Sequence, residues 1–389
     1  MWLILVSCQG GEALDEGPVP MSLDLPPHFP EPDIPADNPL TVEKIALGRY
    51  LFYDVRLSIN HKRSCGICHE QAIGFTDGFV QAIGTTAEKH TRNTLPLINV
   101  AFRRQLTWRD PSVTRLEDQL ITPLMGDEPI EMGMNEALLL RRLESTDLYP
   151  QLFQDAFPDQ PAPISLDNIG LSLASFQRTI FGGDAPYDRH LLGDEGAMSE
   201  AASRGMALFF SEPLGCGRCH GGVFLDQPTD AHGNVTDDHG YFNTGLYNVD
   251  GAGSYPEAEQ GLYALTGELE DMGKFRTPSL RGVATSGPWT HDGTVLFLED
   301  LIDAYARGGR EILSGPTPGD GAENPYKSAL LTGFDITDGE RADLLTFLDE
   351  GLTDEGLLAR ESLSTPFCVE GDSGVVTNTP CEPPVLPGD

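Results

Sequence analysis

Two five-residue strings constrain this chain more than anything else in it: Cys65-Gly66-Ile67-Cys68-His69 and Cys216-Gly217-Arg218-Cys219-His220. Each has the form of a c-type haem attachment site. Two thiols add across the haem vinyl groups, and the histidine that follows is placed to bind iron. The alternative is zinc, since two Cys-x-x-Cys pairs can build a four-thiolate site. Such pairs usually stand about 15–20 residues apart, whereas Cys65 and Cys216 are separated by 151 positions (216 − 65). Zinc also gives no reason for a histidine directly after both pairs. Two covalently bound c-type haems are therefore expected, with electron chemistry to match.

The other cysteines bear on compartment. Cys368 and Cys381 lie close together in sequence and can form a disulfide, two free thiols being the alternative. Either fits an oxidising, extracytoplasmic setting. Leu5-Val6-Ser7-Cys8 has the form of a lipoprotein cleavage box, so Cys8 is expected to carry a lipid anchor, although no basic region precedes it. No run is long and apolar enough to span a bilayer. With 60 acidic against 25 basic residues, a formal charge of −35, nucleic acid and anionic membrane surfaces are disfavoured as partners.

The punctuation divides the chain into four parts. Residues 1–38 read as a lipoprotein-like N-terminus and a flexible tether rich in Pro and Asp. Residues 39–163 read as an N-terminal haem domain and 164–353 as a C-terminal one, followed by a Pro/Gly-rich tail over 354–389. Thr41, Ser165 and Ser199 open helices with apolar residues at helical spacing, and Thr337-x-x-Glu340 is a capping box. The stretch from about 221 to 275 is rich in Gly, Asp, Asn and Pro and is expected to wrap the second haem. Strand signals are scarce. The expected class is all-α, with two cytochrome-c-like haem domains packed face to face and joined by long irregular loops.

A short internal repeat supports that picture. Gly48-Arg49-Tyr50-Leu51-Phe52 precedes the first haem motif and Gly205-Met206-Ala207-Leu208-Phe209 the second.

Beyond the haem motifs, four segments occur in order: LGRYLFYDVRLSINHKRSCGICHEQAIGFTDG, RNTLPLINVAF, FFSEPLGCGRCHGGVF and FRTPSLRGVATSGPWTHDGTVLFLEDLIDAYARGG. Together they resemble the bacterial di-haem cytochrome c peroxidase superfamily over residues 39–352. The sequence looks closest to the branch containing MauG and the methanobactin-associated enzyme MbnH. The strings GLYNVDGAGSYPE and NPYKSALLTGF look like the second of these.

The resemblance implies roles for particular positions. His69 would be the proximal ligand of a haem whose open face receives hydrogen peroxide, with Gln119 and Glu131 lining that pocket. A carboxylate beside the iron can move a proton during O–O cleavage. His220 would be the proximal ligand of the second haem. Where peroxidases fed by small cytochromes carry a methionine ligand, fourteen residues after His291-Asp292-Gly293 begins, this chain has Tyr305. A phenolate is hard and anionic, so it favours ferric and higher states over ferrous. The plain alternative for Tyr305 is a core tyrosine on the stripe of Leu298, Leu301 and Ile302. Met272 is the competing ligand. Trp108 would sit between the haems, and a calcium ion would be held by the Asn93 side chain and the carbonyls of Ser286 and Pro288. His291 would support the haem environment.

The expected activity is a periplasmic di-haem oxidoreductase. It would use hydrogen peroxide to reach a high-valent di-haem state and oxidise a partner-protein residue, a tryptophan, by long-range electron transfer. The implied partner is a copper-binding periplasmic protein. Two alternatives stay open: a cytochrome c peroxidase drawing electrons from a small cytochrome or cupredoxin, and a non-catalytic di-haem electron carrier.

Overall fold

The computed structural model describes residues 17–230, 232–236, 240–370 and 375–381. Its organisation follows from two helix crossings built alike. Helix Val42–Tyr53 starts where the Thr41 side chain accepts the Lys44 N–H at 3.3 Å. It is buried nearly all round, Glu43 and Lys44 included, the Lys44 ammonium donating to Asn38 Oδ1 at 2.9 Å and the Glu43 carboxylate accepting from the Val19 N–H at 2.9 Å. Helix Leu166–Gln177 crosses it, capped by Ser165. The crossing point is Gly48, where a Cβ would stand 2.0 Å from the Ser172 carbonyl oxygen. The second crossing repeats this. Ser199 caps helix Glu200–Phe209, the Thr337/Glu340 capping box opens helix Asp338–Thr346, and at Gly205 a Cβ would stand 2.0 Å from the Asp343 carbonyl oxygen. The glycines of the sequence repeat are thus contact points where only hydrogen fits between two helices.

Each crossing carries a hydrophobic core. The first gathers Leu47, Leu51, Phe52, Phe75, Ile169, Leu173 and Phe176, and the second Phe209, Leu225, Ile302, Leu344 and Phe347. A small third core joins Leu246, Tyr247, Tyr255 and Met272. Helix Leu166–Gln177 packs into the first core through Ile169, Leu173 and Phe176.

The described chain is helix-rich, with three two-stranded antiparallel ribbons: Tyr241–Phe242 with Phe275–Arg276, Glu311–Ile312 with Gly319–Asp320, and Phe367–Glu370 with Val375–Pro380. The strict all-α expectation is corrected to that extent. No described helix is long and apolar enough to cross a membrane.

Both ends depart from the sequence reading. Residues 17–38 are not a free tether. The Met21 N–H reaches the Leu40 carbonyl at 3.0 Å, and the Phe29 ring meets Phe102 and Phe224 edge-on at 5.4 and 4.9 Å. One aromatic residue among many prolines is enough to pin the segment across loops of both haem motifs. The segment after 354 is likewise no loose tail as far as it is described, since Leu357, Leu363 and Phe367 complete the first core. Arg49, Tyr53 and Gln71 reach its main-chain carbonyls with hydrogen bonds. Cys8 lies outside the described residues.

Candidate functional site: two histidine–thiol centres and the cavity at the second

Cys65–Cys68 form one helical turn, and His69 ends it with its N–H on the Cys65 carbonyl at 2.8 Å. The imidazole Nδ1 lies 2.9 Å from the Phe75 carbonyl oxygen. A carbonyl only accepts, so Nδ1 must carry the proton, and the lone pair of Nε2 is left for a metal. Burial holds the imidazole pKa below its ordinary value, which keeps the ring neutral. The second centre is built the same way. His220 Nδ1 stands 3.1 Å from the Leu225 carbonyl oxygen, and burial lowers its pKa too. Such outer hydrogen bonds orient a ligating ring and raise its basicity.

Phe75 and Leu225 both adopt left-handed backbone conformations, with φ of 58° and 54°. That is unusual for bulky residues, and in both cases the turned carbonyl is the one that receives the histidine. These two acceptors were not legible in the sequence. Gly74, also left-handed at φ 71°, was the only nearby hint at the first.

Burial pushes the Cys65 and Cys216 thiols up to about 12 and Cys68 to about 11. No three His, Cys, Asp or Glu among the described residues come together as a metal site. The two Cys-x-x-Cys pairs therefore do not converge on one four-thiolate centre.

A partly open cavity of about 220 Å³ lies against the second motif. Cys216, Cys219, His220 and Tyr305 all line it, with apolar walls from Leu298, Ile302, Leu344 and Leu348. The loop over 221–275 contributes Phe242, Thr244, Leu246 and Phe275, so it wraps this centre as its composition predicted. Tyr305 comes from helix Leu298–Arg307. Its phenol takes part in no hydrogen bond among the described residues. Burial first, then the nearby Cys219 and Cys216 sulfurs, raises its pKa above the ordinary phenol value. Ionising it there requires a positive charge to replace the proton, which a ferric iron supplies. These residues fit a haem held by His220 and Tyr305. Met272, the competing ligand, packs instead with Leu246, Tyr247 and Tyr255 and does not line the cavity.

Trp108, Asn93 and His291 form one wall. The Trp108 indole N–H donates to the Asn93 carbonyl at 2.8 Å, and the Asn93 N–H donates to the His291 carbonyl at 3.0 Å. The His291 ring is stacked on Phe275, centroids 3.5 Å apart, and Trp108 meets it edge-on at 6.5 Å. His291 Nδ1 is 2.7 Å from Glu259, whose carboxylate also holds Arg92 at 2.6 Å. His291 thus stands against a buried Arg92–Glu259 ion pair that the sequence alone did not show. Ser286 and Pro288 line the same cavity as Asn93. The Asn93 amide nitrogen donates to the Phe79 carbonyl at 2.9 Å, and among the described residues its side-chain oxygen takes no hydrogen bond. Oxygen donors so placed fit a hard cation.

At the first centre, Glu131 lies close enough to Cys65 and Cys68 to raise the pKa of both thiols. Its own carboxyl is pushed up to about 7 by desolvation, and His90 stands 3.6 Å away. The Glu131 main chain is fixed by the Thr85 N–H at 2.7 Å. Gln119 ends the short helix Leu116–Gln119, half-buried, between core residues Leu116 and Leu120. The structure records no contact of the Gln119 side chain with Glu131. Two residues earlier, Glu117 is locked to Arg178 at 2.7 Å and to Asn38 at 2.8 Å, which anchors that helix.

Three comparisons bear on this arrangement. The family model described as di-haem cytochrome c peroxidase matches residues 42–196. The chain is 35% identical to the methylamine utilization protein MauG of Methylorubrum extorquens, over 81% of this chain and 80% of that protein. It is 32% identical to the cytochrome-c peroxidase IdrP1 of Pseudomonas sp. (strain SCT), over 86% and 87% respectively. Among solved structures, a MauG-like protein associated with microbial copper homeostasis superposes with a TM-score of 0.85 at 43% identity, covering 89% of this chain and 99% of that one.

Proposed function

The chain belongs to the di-haem cytochrome c peroxidase family, and from that premise we propose that it uses hydrogen peroxide to oxidise a tryptophan of a partner protein by long-range electron transfer. Membership makes it an oxidoreductase carrying two c-type haems. The bound haems supply the iron that reduces peroxide and the redox range that holds two oxidising equivalents.

The chain's own residues divide the work. His69 and His220 each present a neutral Nε2 to iron, fixed by the Phe75 and Leu225 carbonyls. Glu131, with its carboxyl near 7, holds and returns a peroxide proton at its side-chain oxygen. Gln119 orients the incoming peroxide. Trp108 stands on the wall of the second cavity as a stepping stone between centres. Asn93, Ser286 and Pro288 hold a calcium ion that stiffens this wall.

The observation that carries the proposal is Tyr305. Its unpartnered phenol faces the cavity beside His220, while the one competing methionine is packed elsewhere. An anionic oxygen ligand favours oxidised iron, which suits a centre that stores outgoing oxidising equivalents. The likeness to a MauG-like copper-homeostasis protein supports a copper-binding partner. The Cys8 box and the Cys368/Cys381 pair support a periplasmic, lipid-anchored protein.

The second reading is a peroxidase that removes hydrogen peroxide with electrons from a small cytochrome or cupredoxin, favoured by the likeness to cytochrome-c peroxidase IdrP1. The test is to mix the diferric protein with one equivalent of peroxide. The proposal expects a near-infrared charge-resonance band that forms in the absence of partner and turnover with reduced small cytochromes that stays slow. No band, with fast cytochrome oxidation, supports the second reading.

A further inference from the structure

Behind the cavity wall made by Leu246, Thr290 and His291 lies a buried tyrosine paired with a carboxylate. The Tyr247 hydroxyl donates to Asp292 Oδ2. The other hydrogen bonds that Asp292 accepts come from neutral groups: Thr290 at 2.5 Å, the Thr294 N–H at 3.1 Å and the Thr294 hydroxyl at 2.9 Å. Tyr247 is 7% exposed and Asp292 3%, so the pair is shielded from water. Its neighbours Leu246 and His291 line the cavity of the His220 centre.

Other buried tyrosines lack this arrangement. Tyr255, edge-on to Tyr247 at 5.5 Å, donates to the Asn243 side-chain oxygen at 2.6 Å, an amide that cannot take a proton. Tyr149 also meets a carboxylate, Asp54 at 2.5 Å. Asp54, however, is already taken up by the Arg56 guanidinium at 2.7 Å, and neither Tyr149 nor its chain neighbours line the cavity of the His220 centre.

We propose that Tyr247 is a redox-active side chain that gives up one electron toward the His220 centre while its phenolic proton passes to Asp292. The inference rests on the proposed reaction with hydrogen peroxide, which is the oxidant. The phenol O–H bond breaks, an O–H bond forms at Asp292 Oδ2, and the electron goes to the haem that peroxide has oxidised. A neutral tyrosyl radical remains, hydrogen-bonded to a carboxylic acid. An oxidising equivalent that no partner draws off comes to rest there and not on Tyr255, whose proton has nowhere to go.

The experiment mixes the diferric holoprotein with hydrogen peroxide without partner, follows the haem absorbance and freezes the sample for electron paramagnetic resonance. The expected result is a tyrosyl signal that forms more slowly in D2O. It is lost in Tyr247→Phe and Asp292→Asn and kept in Tyr255→Phe and Tyr149→Phe. Site-specific 3-fluorotyrosine at 247 keeps the shape and the hydroxyl, and adds a fluorine splitting only if the radical sits there. Haem absorbance that responds to peroxide with no tyrosyl signal, or a signal without the fluorine splitting, overturns the inference and leaves the proposed function standing. Absorbance that does not respond to peroxide overturns both.

Discussion

The indole N–H of Trp108 is given to the main-chain carbonyl of Asn93, 2.8 Å away, and not to any group that can take its proton. Asn93 in turn holds the His291 carbonyl, so the ring sits in a rigid frame on the wall of the second cavity. An electron can leave such an indole and return without a proton being lost.

Replacing Trp108 by Phe removes that donor. Leaving the Asn93 carbonyl unpaired costs about 1–3 kcal/mol, so a lower melting temperature is expected with haem content unchanged. On the role proposed for Trp108, the peroxide-induced near-infrared band should weaken or vanish. A band of full strength in Trp108→Phe would remove Trp108 from the path.

Tyr305→Met exchanges a hard anionic oxygen for a soft thioether. The reduction potential of the second haem should rise, and that haem should be easier to reduce than in the wild-type protein. A spectroelectrochemical titration reads this directly. An unchanged potential would return Tyr305 to the role of a wall residue.

Glu131 gives a pH dependence with a defined sign. Its folded-state value, about 7, lies above the ordinary carboxyl value of 4.5 because burial disfavours the charge. Its contribution to stability is therefore full below about 4.5 and is lost as pH rises through about 7. Glu131→Gln should flatten that part of the melting profile. The reactive form is the carboxylate, so the rate of reaction with peroxide should rise with pH through about 7 in the wild-type protein. Glu131→Gln should lose that step and react about 10²–10⁴-fold more slowly.

Phe29 reports on the N-terminal segment. At 9% exposure between Phe102 and Phe224, it holds residues 17–38 to the loops of both haem motifs. Phe29→Ala should cost about 3–5 kcal/mol by the usual measure of a buried aromatic, seen in thermal melts. A change near zero would mean that the segment is the loose tether its composition suggested.

Sequence and structure agree where the signal is local. The haem motifs, the caps at Thr41, Ser165, Ser199 and Thr337, and the paired glycines Gly48 and Gly205 all act through neighbours a few residues away or through a fixed helix crossing. The structure added what depends on distant parts of the chain. Composition could not reveal that Phe29 would find two partners in remote loops, or that Phe367 would close the first core. Nor could it reveal that helix Leu166–Gln177 packs across helix Val42–Tyr53, some 120 positions earlier in the chain. The carbonyls of Phe75 and Leu225 are set by backbone twist, which bulky residues do not advertise.

The most direct measurement is a mass analysis of the partner. The diferric protein is given hydrogen peroxide together with a candidate copper-binding periplasmic protein that carries a tryptophan, and the partner is digested and its peptides weighed. The account predicts oxygen added at one tryptophan, in proportion to the peroxide consumed and dependent on Tyr305 and Trp108. Peroxide consumed with every partner tryptophan unaltered, while a reduced small cytochrome is oxidised in step with it, would contradict the account.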